Sequence, residues 1–178
     1  MEQRRKNQAN LLVRECMTTA LMQLLKEKPL YDISISELTE KAGVSRMAYY
    51  RNYKSKEDIF SLYMEDIIND YKEDRKTYTC QGIYYDTTNL IHCFSYFKKY
   101  QNYLESLFQS GLSHVLLNAI SNYMTETWLK PEDNIEHFYT LQAFTGSLFN
   151  LYISWTLHGA KETPEEMAQI LHQIYCQS

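Results

Sequence analysis

Glycine and proline are scarce in this chain, at 5 and 3 of 178 residues, so helix is favoured over turn-rich structure. The four cysteines, at 16, 80, 93 and 176, include no CxxC spacing and no pairing with histidine at zinc-site spacing. Thiols spread so widely read as reduced, buried and cytosolic. The first ten residues, MEQRRKNQAN, lack the apolar core of a signal peptide, which places the expected location in the cytoplasm. Catalytic signatures are missing as well: GxGxxG, GxxxxGK[ST], HExxH and GxSxG do not occur, and no paired-carboxylate or Cys/His constellation stands out. An enzyme is therefore not expected, nor a cofactor or a metal. His92, His114, His137, His158 and His172 are scattered and read as packed or surface groups.

Charge is absent from one long run. Between His137 and Ala160 there is no Asp, Glu, Lys or Arg. Its length suffices to span a bilayer. Thr140, Gln142, Thr145, Ser147, Asn150, Ser154 and Thr156 within it make insertion unfavourable, and a helix covered by protein is the better reading.

What is present is helical. Residues 8–27 carry Leu11, Leu12, Met17, Ala20, Leu21, Leu24 and Leu25 near helical spacing, and Pro29 ends the run. Ser34 with Glu37 forms a capping box, Ile33 can staple to Leu38, and Gly43 supplies a left-handed stop. Ser45 caps a second short helix, RMAYYRNY, and Ser55 with Asp58 opens a third over 56–72. A polar break, EDRKTYTCQGIYYD, follows. Further helices are expected over 90–100, 103–109, 112–128, roughly 133–158, and from a Thr163-Pro164-Glu165-Glu166 cap onward. The expected fold class is all-α, with an amino-terminal domain over 1–54 and a carboxy-terminal helical domain over 55–178.

The net charge of −4 hides an asymmetry. Residues 1–56 hold 11 Lys/Arg against 6 Asp/Glu, a balance of +5, whereas residues 57–178 hold 7 against 16, a balance of −9. A basic third on an acidic body points to a polyanion partner at one end. Two short helices separated by Gly43-Val44 fit a helix-turn-helix, although many αα-hairpins with this spacing bind nothing. In that motif the second helix enters the major groove. Ser45 starts it, and Arg46, Met47 and Ala48 then face base edges with Arg51 one turn on. Arg46 has the fork to read guanine, while Met47 and Ala48 offer only apolar contact. Tyr50 and Tyr53 would place hydroxyls on phosphates. Lys54 and Lys56 sit at the next helix start, where free N–H groups favour anions, and Ser34 and Ser36 open the preceding helix in the same way.

The stretch ISISELTEKAGVSRMAYYRNYKSKEDIFSLYMEDI resembles the amino-terminal domain of TetR/AcrR-type transcriptional regulators, with a match over about residues 8–72 that is specific over 33–60. The carboxy-terminal FTGSLFNLYISWTLHGAKETPEEMAQIL resembles the last helices of a subset of that family. The resemblance implies a homodimeric all-helical repressor that binds a palindromic operator in double-stranded DNA and releases it when a small molecule enters the carboxy-terminal domain. It makes Tyr50 and Lys56 the foremost phosphate contacts. Ala48 stands where a hydroxyl residue is common and Asn52 where His is common, so no operator preference transfers. A protein-interaction coregulator of the same fold without autonomous DNA binding is the alternative.

A helix apolar nearly all round must be covered nearly all round. For the helix over 133–158, one protomer covers one face and a second copy the other, giving a two-fold four-helix interface with Leu148, Leu151, Tyr152, Trp155, Met167, Ile170, Leu171 and Ile174. Full burial within one protomer is the competing expectation. Met64, Ile68, Tyr71, Phe94, Phe97, Tyr100, Phe108, Leu112, Leu116 and Tyr139 are the candidates to line an effector cavity, most of them core by default.

Overall fold

The computed structural model describes residues 2–78 and 82–176, with side chains from Asn10 onward. Among the described residues the regular structure is entirely helical: α1 (Glu2–Leu25), α2 (Ile35–Ala42), α3 (Arg46–Asn52), α4 (Glu57–Thr77), α5 (Thr87–Lys98), α6 (Gln101–Gln109), α7 (Ser113–Trp128), α8 (Ile135–Leu157) and α9 (Pro164–Cys176), with a 3-10 turn at Leu30–Asp32.

The caps expected from the sequence are made. Ser34 Oγ accepts from Glu37 N and Ser45 Oγ from Ala48 N, at 3.2 and 3.1 Å. Thr163 and Glu166 form a reciprocal box at 2.7 and 3.2 Å. Asn134 caps α8 by accepting from His137 N. Each such bond satisfies an orphan donor at a helix start, and its loss costs about 0.5–2 kcal/mol. Ile33 and Leu38, the staple pair, are both buried. Gly43 sits at φ 64°, and its N–H reaches the carbonyls of Thr39 and Glu40. A Cβ there would meet nothing, so the backbone angle alone asks for glycine.

Three boundaries differ most from expectation, the first being α1, which starts at Glu2 rather than near residue 8. The first helix after the amino-terminal head runs to Thr77 rather than 72, because Lys76 pairs with Glu73 and Lys72 with Glu126, which turns an apparent polar break into a solvated helix face. The following helix begins at Thr87, three residues earlier than expected. Residues 31–34 form the end of the 3-10 turn and the extended cap of α2.

In the packing, α1 rests on α2 and α4, α4 on α7, α7 on α8, and α5 lies along α9. One continuous apolar core runs from Met17 to Leu171. Arg14 on α1 meets Asp66 on α4 at 2.7 Å. The uncharged helix α8 buries Leu141, Phe144, Leu148, Tyr152 and Trp155, and its Thr145 survives burial by donating to the Leu141 carbonyl. Its other side carries Ile135, Tyr139 and Leu157, all exposed. No helix among the described residues is long and apolar enough to cross a membrane.

Candidate nucleic-acid interface and effector cavity

The seven residues of α3 divide by role within two turns. Tyr49 is buried and meets Tyr50 edge-on at 5.3 Å and Tyr53 at a tilt at 5.5 Å. These rings hold the helix to the head. Arg46, Met47, Tyr50 and Arg51 point to solvent, with Met47 at 79% and Tyr50 at 55% exposure. The exposed Met47 thioether thus lies on the same short helix as two exposed guanidinium groups. Ala48 is half-buried, and Asn52 turns its amide back onto the Ala48 carbonyl at 2.7 Å. Ser36, Ser45 and Lys54 are exposed on the same head.

Two expected phosphate contacts are corrected. Tyr53 is 3% exposed with a buried hydroxyl, so it serves as core rather than as an arm to DNA. Lys56 spends its ammonium on the main-chain carbonyls of Leu30, Tyr31 and Ile33, the last at 2.8 Å. It ties the start of α4 to the turn before α2. The N–H groups of Lys54 and Ser55 are likewise taken, both donating to Asp58 Oδ2 at 2.7 and 3.2 Å, while Asp58 N donates to Ser55 Oγ. That helix start is filled by a carboxylate of the chain itself, which removes the expected attraction for an outside anion.

A second site lies inside the body, where α4, α5, α7 and α8 leave a cavity of about 40 Å³, room for a few water molecules. Of the expected lining, Ile68, Tyr71, Phe97 and Leu116 reach it. Met64, Phe94 and Leu112 are buried elsewhere in the core, Tyr100 and Phe108 are half-buried away from it, and Tyr139 is exposed on the outside of α8. These six are corrections: an apolar stripe packs by default, and only neighbouring elements decide which part of it borders a gap.

The polar members were missed. Arg75, Asn89 and Tyr123 line the cavity together with Tyr84, Cys93, Trp128 and Tyr152. Arg75 was legible in principle, since it stands on the helical face of Ile68 and Tyr71, but the helix was ended before it. Burial pushes the Cys93 thiol up to about 12, so it sits in the wall as a neutral group.

The interface reading also divides. Leu148, Tyr152, Trp155, Met167 and Leu171 are buried within the protomer, which corrects their assignment to a seam between copies. The aromatic ones are held by α5, where Phe94 stacks on Tyr152 at 5.7 Å and meets Trp155 edge-on at 5.6 Å. Leu151 is half-buried, and Ile170 and Ile174 remain exposed at 44% and 59%.

Comparison with known proteins agrees with this architecture. Residues 18–62 match the family model described as bacterial regulatory proteins of the tetR family, and residues 87–176 match a transcriptional regulator C-terminal region of the same type. No curated protein sequence matches the chain significantly. Among solved structures, the dihydroxyacetone kinase operon activator DhaS is similar at 14% identity with a TM-score of 0.61, over 92% of this chain and 94% of that one. A TetR transcriptional regulator from Rhodococcus sp. RHA1 is similar at 17% identity and TM-score 0.60, over 97% and 94%. The fatty acid degradation regulator FadR from Bacillus halodurans is similar at 14% and 0.58, over 90% and 93%. At these identities the likeness is one of fold, and it is the paired family matches at both ends that make this chain a member of the TetR family of transcriptional regulators.

Proposed function

We propose that the chain acts as a homodimeric repressor that reads a palindromic operator through α3 and lets go when a small molecule occupies the cavity between α4, α5, α7 and α8. The observation that carries the DNA-binding part is the exposed row Arg46, Met47, Tyr50 and Arg51 on a helix whose Tyr49 and Tyr53 are anchored below it. Arg46 is positioned for a base edge, and Tyr50, Arg51 and Lys54 supply the phosphate contacts together with Ser34, Ser36 and Ser45 at the helix starts. Residues 1–54 form the DNA-binding head and 55–178 the effector and dimer body, with α4 joining them.

The dimer seam is formed by the outer faces of α8 and α9: Tyr139, Ala143 and Leu157 on one, Ile170 and Ile174 on the other. Gly146 supports this, because a Cβ there would meet only open space. The protomer's own packing does not demand glycine at that point, whereas close approach of a partner helix uses it. Two recognition helices about 34–36 Å apart then match one turn of B-DNA.

Selection of bound sequences from random duplex DNA tests the whole reading. An inverted repeat is the expected product; a single half-site or no enrichment at low salt refutes it, and the latter favours a coregulator without its own DNA binding. Arg46→Ala is expected to relax base preference at one symmetric pair of positions. Tyr50→Phe is expected to weaken all sequences alike.

A further inference from the structure

The last turns of α4 bring to the cavity a guanidinium whose partners are all neutral. Arg75 Nη1 donates to Tyr123 Oη at 2.9 Å, its Nη2 donates to Asn89 Oδ1 at 3.4 Å, and its Cζ stands 4.6 Å from the centroid of a Trp128 ring. Among the described residues no carboxylate lies within ion-pair distance of Arg75, although the lysines on either side are paired, Lys72 with Glu126 and Lys76 with Glu73. Asn89 is 6% exposed and spends its amide N–H on the Ile83 carbonyl at 2.7 Å, which leaves its oxygen to the arginine. A further polar group on the wall is unsatisfied: Tyr152 is 3% exposed and its buried hydroxyl has no partner among the described residues.

A half-buried guanidinium, lining the cavity on one side and an outer groove with Lys72 and Lys76 on the other, with a loose second hydrogen bond and no ion-pair partner among the described residues, has donors to offer an anion. The planar fork fits a carboxylate with two parallel bonds. Around it the wall is aromatic, with Tyr84, Trp128 and Phe144 closing one side, and flat rings pack on such walls edge-on or offset. At about 40 Å³ the closed cavity is smaller than one aromatic ring, so a ring enters only as the walls part, and a long chain would need more room still.

We propose that the effector cavity selects a small aromatic carboxylate, its carboxylate on Arg75 in place of the Tyr123 hydroxyl and its ring against Trp128 and Phe144. This rests on the effector reading above and adds the chemical class.

The test uses the full chain with benzoate and phenylacetate as probes, their amides as neutral isosteres, and benzylamine as the cation. Binding is followed by calorimetry and by Trp128 fluorescence. The acids are expected to bind at least about tenfold tighter than their amides, the usual worth of a charge-assisted bond. Arg75→Gln is expected to erase that ratio while leaving amide affinity in place, and Arg75→Lys to keep part of it. A merely structural Arg75 would lower the unfolding midpoint and leave the acid-to-amide ratio alone. Equal affinity for acid and amide in the unaltered chain, preference for the amine, or no binding by any of these probes overturns the proposal without recourse to a variant. Operator affinity is measured in parallel. Acids that bind through Arg75 yet leave DNA affinity unchanged would sink the effector reading and leave the carboxylate site standing.

Discussion

The phenolic hydroxyl of Tyr103, on α6, donates to the main-chain carbonyl of Phe60, on α4, at 2.6 Å, and both residues are buried. This bond fastens the helix that joins head and body to an element belonging wholly to the body. Tyr103→Phe keeps the ring contacts with Phe60 and Tyr63 and removes only the hydroxyl. It is expected to cost about 1 kcal/mol in urea unfolding. Operator affinity without effector should hold, while the change in affinity on adding effector should shrink.

Lys56 offers a clean choice between two roles. As a tie to the Leu30, Tyr31 and Ile33 carbonyls, its replacement by Ala is expected to cost ~1.5–3 kcal/mol of stability, the range for hydrogen bonds involving a charged group. The salt dependence of operator binding should keep its slope. A slope that falls by about 0.9 per subunit would instead show that the ammonium leaves those carbonyls for a phosphate.

Charge placed on the outer seam separates dimerisation from folding. Ile174→Glu and Tyr139→Glu alter exposed positions and are expected to give folded monomers by light scattering with weakened operator binding. Leu171→Glu, one turn away and buried, is expected to unfold the chain, because it places an unpaired carboxylate in the core. An intact dimer in both surface variants refutes the seam.

Alkaline pH should loosen the head. Burial pushes the Tyr53 phenol up to about 12, above the value near 10 of an unfolded tyrosine. Its folded form therefore holds a proton that the unfolded chain gives up. That contribution is complete below pH 10 and is lost as the pH rises through 12. Tyr96, Tyr103 and Tyr152 shift in the same direction, so the urea midpoint should fall steeply above pH 10. Tyr53→Phe is expected to lessen that fall, and at neutral pH to leave stability unchanged or raised, because the hydroxyl it removes is buried without a partner among the described residues.

Local chemistry was legible in the sequence and three-dimensional neighbourhood was not. Ser34, Gly43, Ser45, Ser55 and Thr163 mark their helix ends because caps and left-handed stops involve residues three or four apart. The exposure of Met47 agrees with its place in the first turn of the second helix of the motif. Lys56 was misread because its partners come from the 30–33 turn, and Tyr53 because its burial depends on tertiary packing, neither of which local spacing reveals. Leu148, Tyr152 and Trp155 were assigned to a second copy because the residues that cover the aromatic pair, such as Phe94, lie about 60 positions away. Arg75 was lost for a different reason: a run of charges looks like a loop until the Lys72–Glu126 pair makes it a helix face.

One consequence follows from the length of α4. Twenty-one residues at 1.5 Å each make a rod of about 30 Å. The Lys56 ammonium grips the 30–33 turn at one extremity, and Arg75 faces the cavity at the other. Under the proposed function, a rod held near Phe60 by the Tyr103 hydroxyl would have a short arm toward the operator and a long arm toward the ligand. Motion at the cavity would then be geared down rather than amplified on its way to the head, trading reach for force.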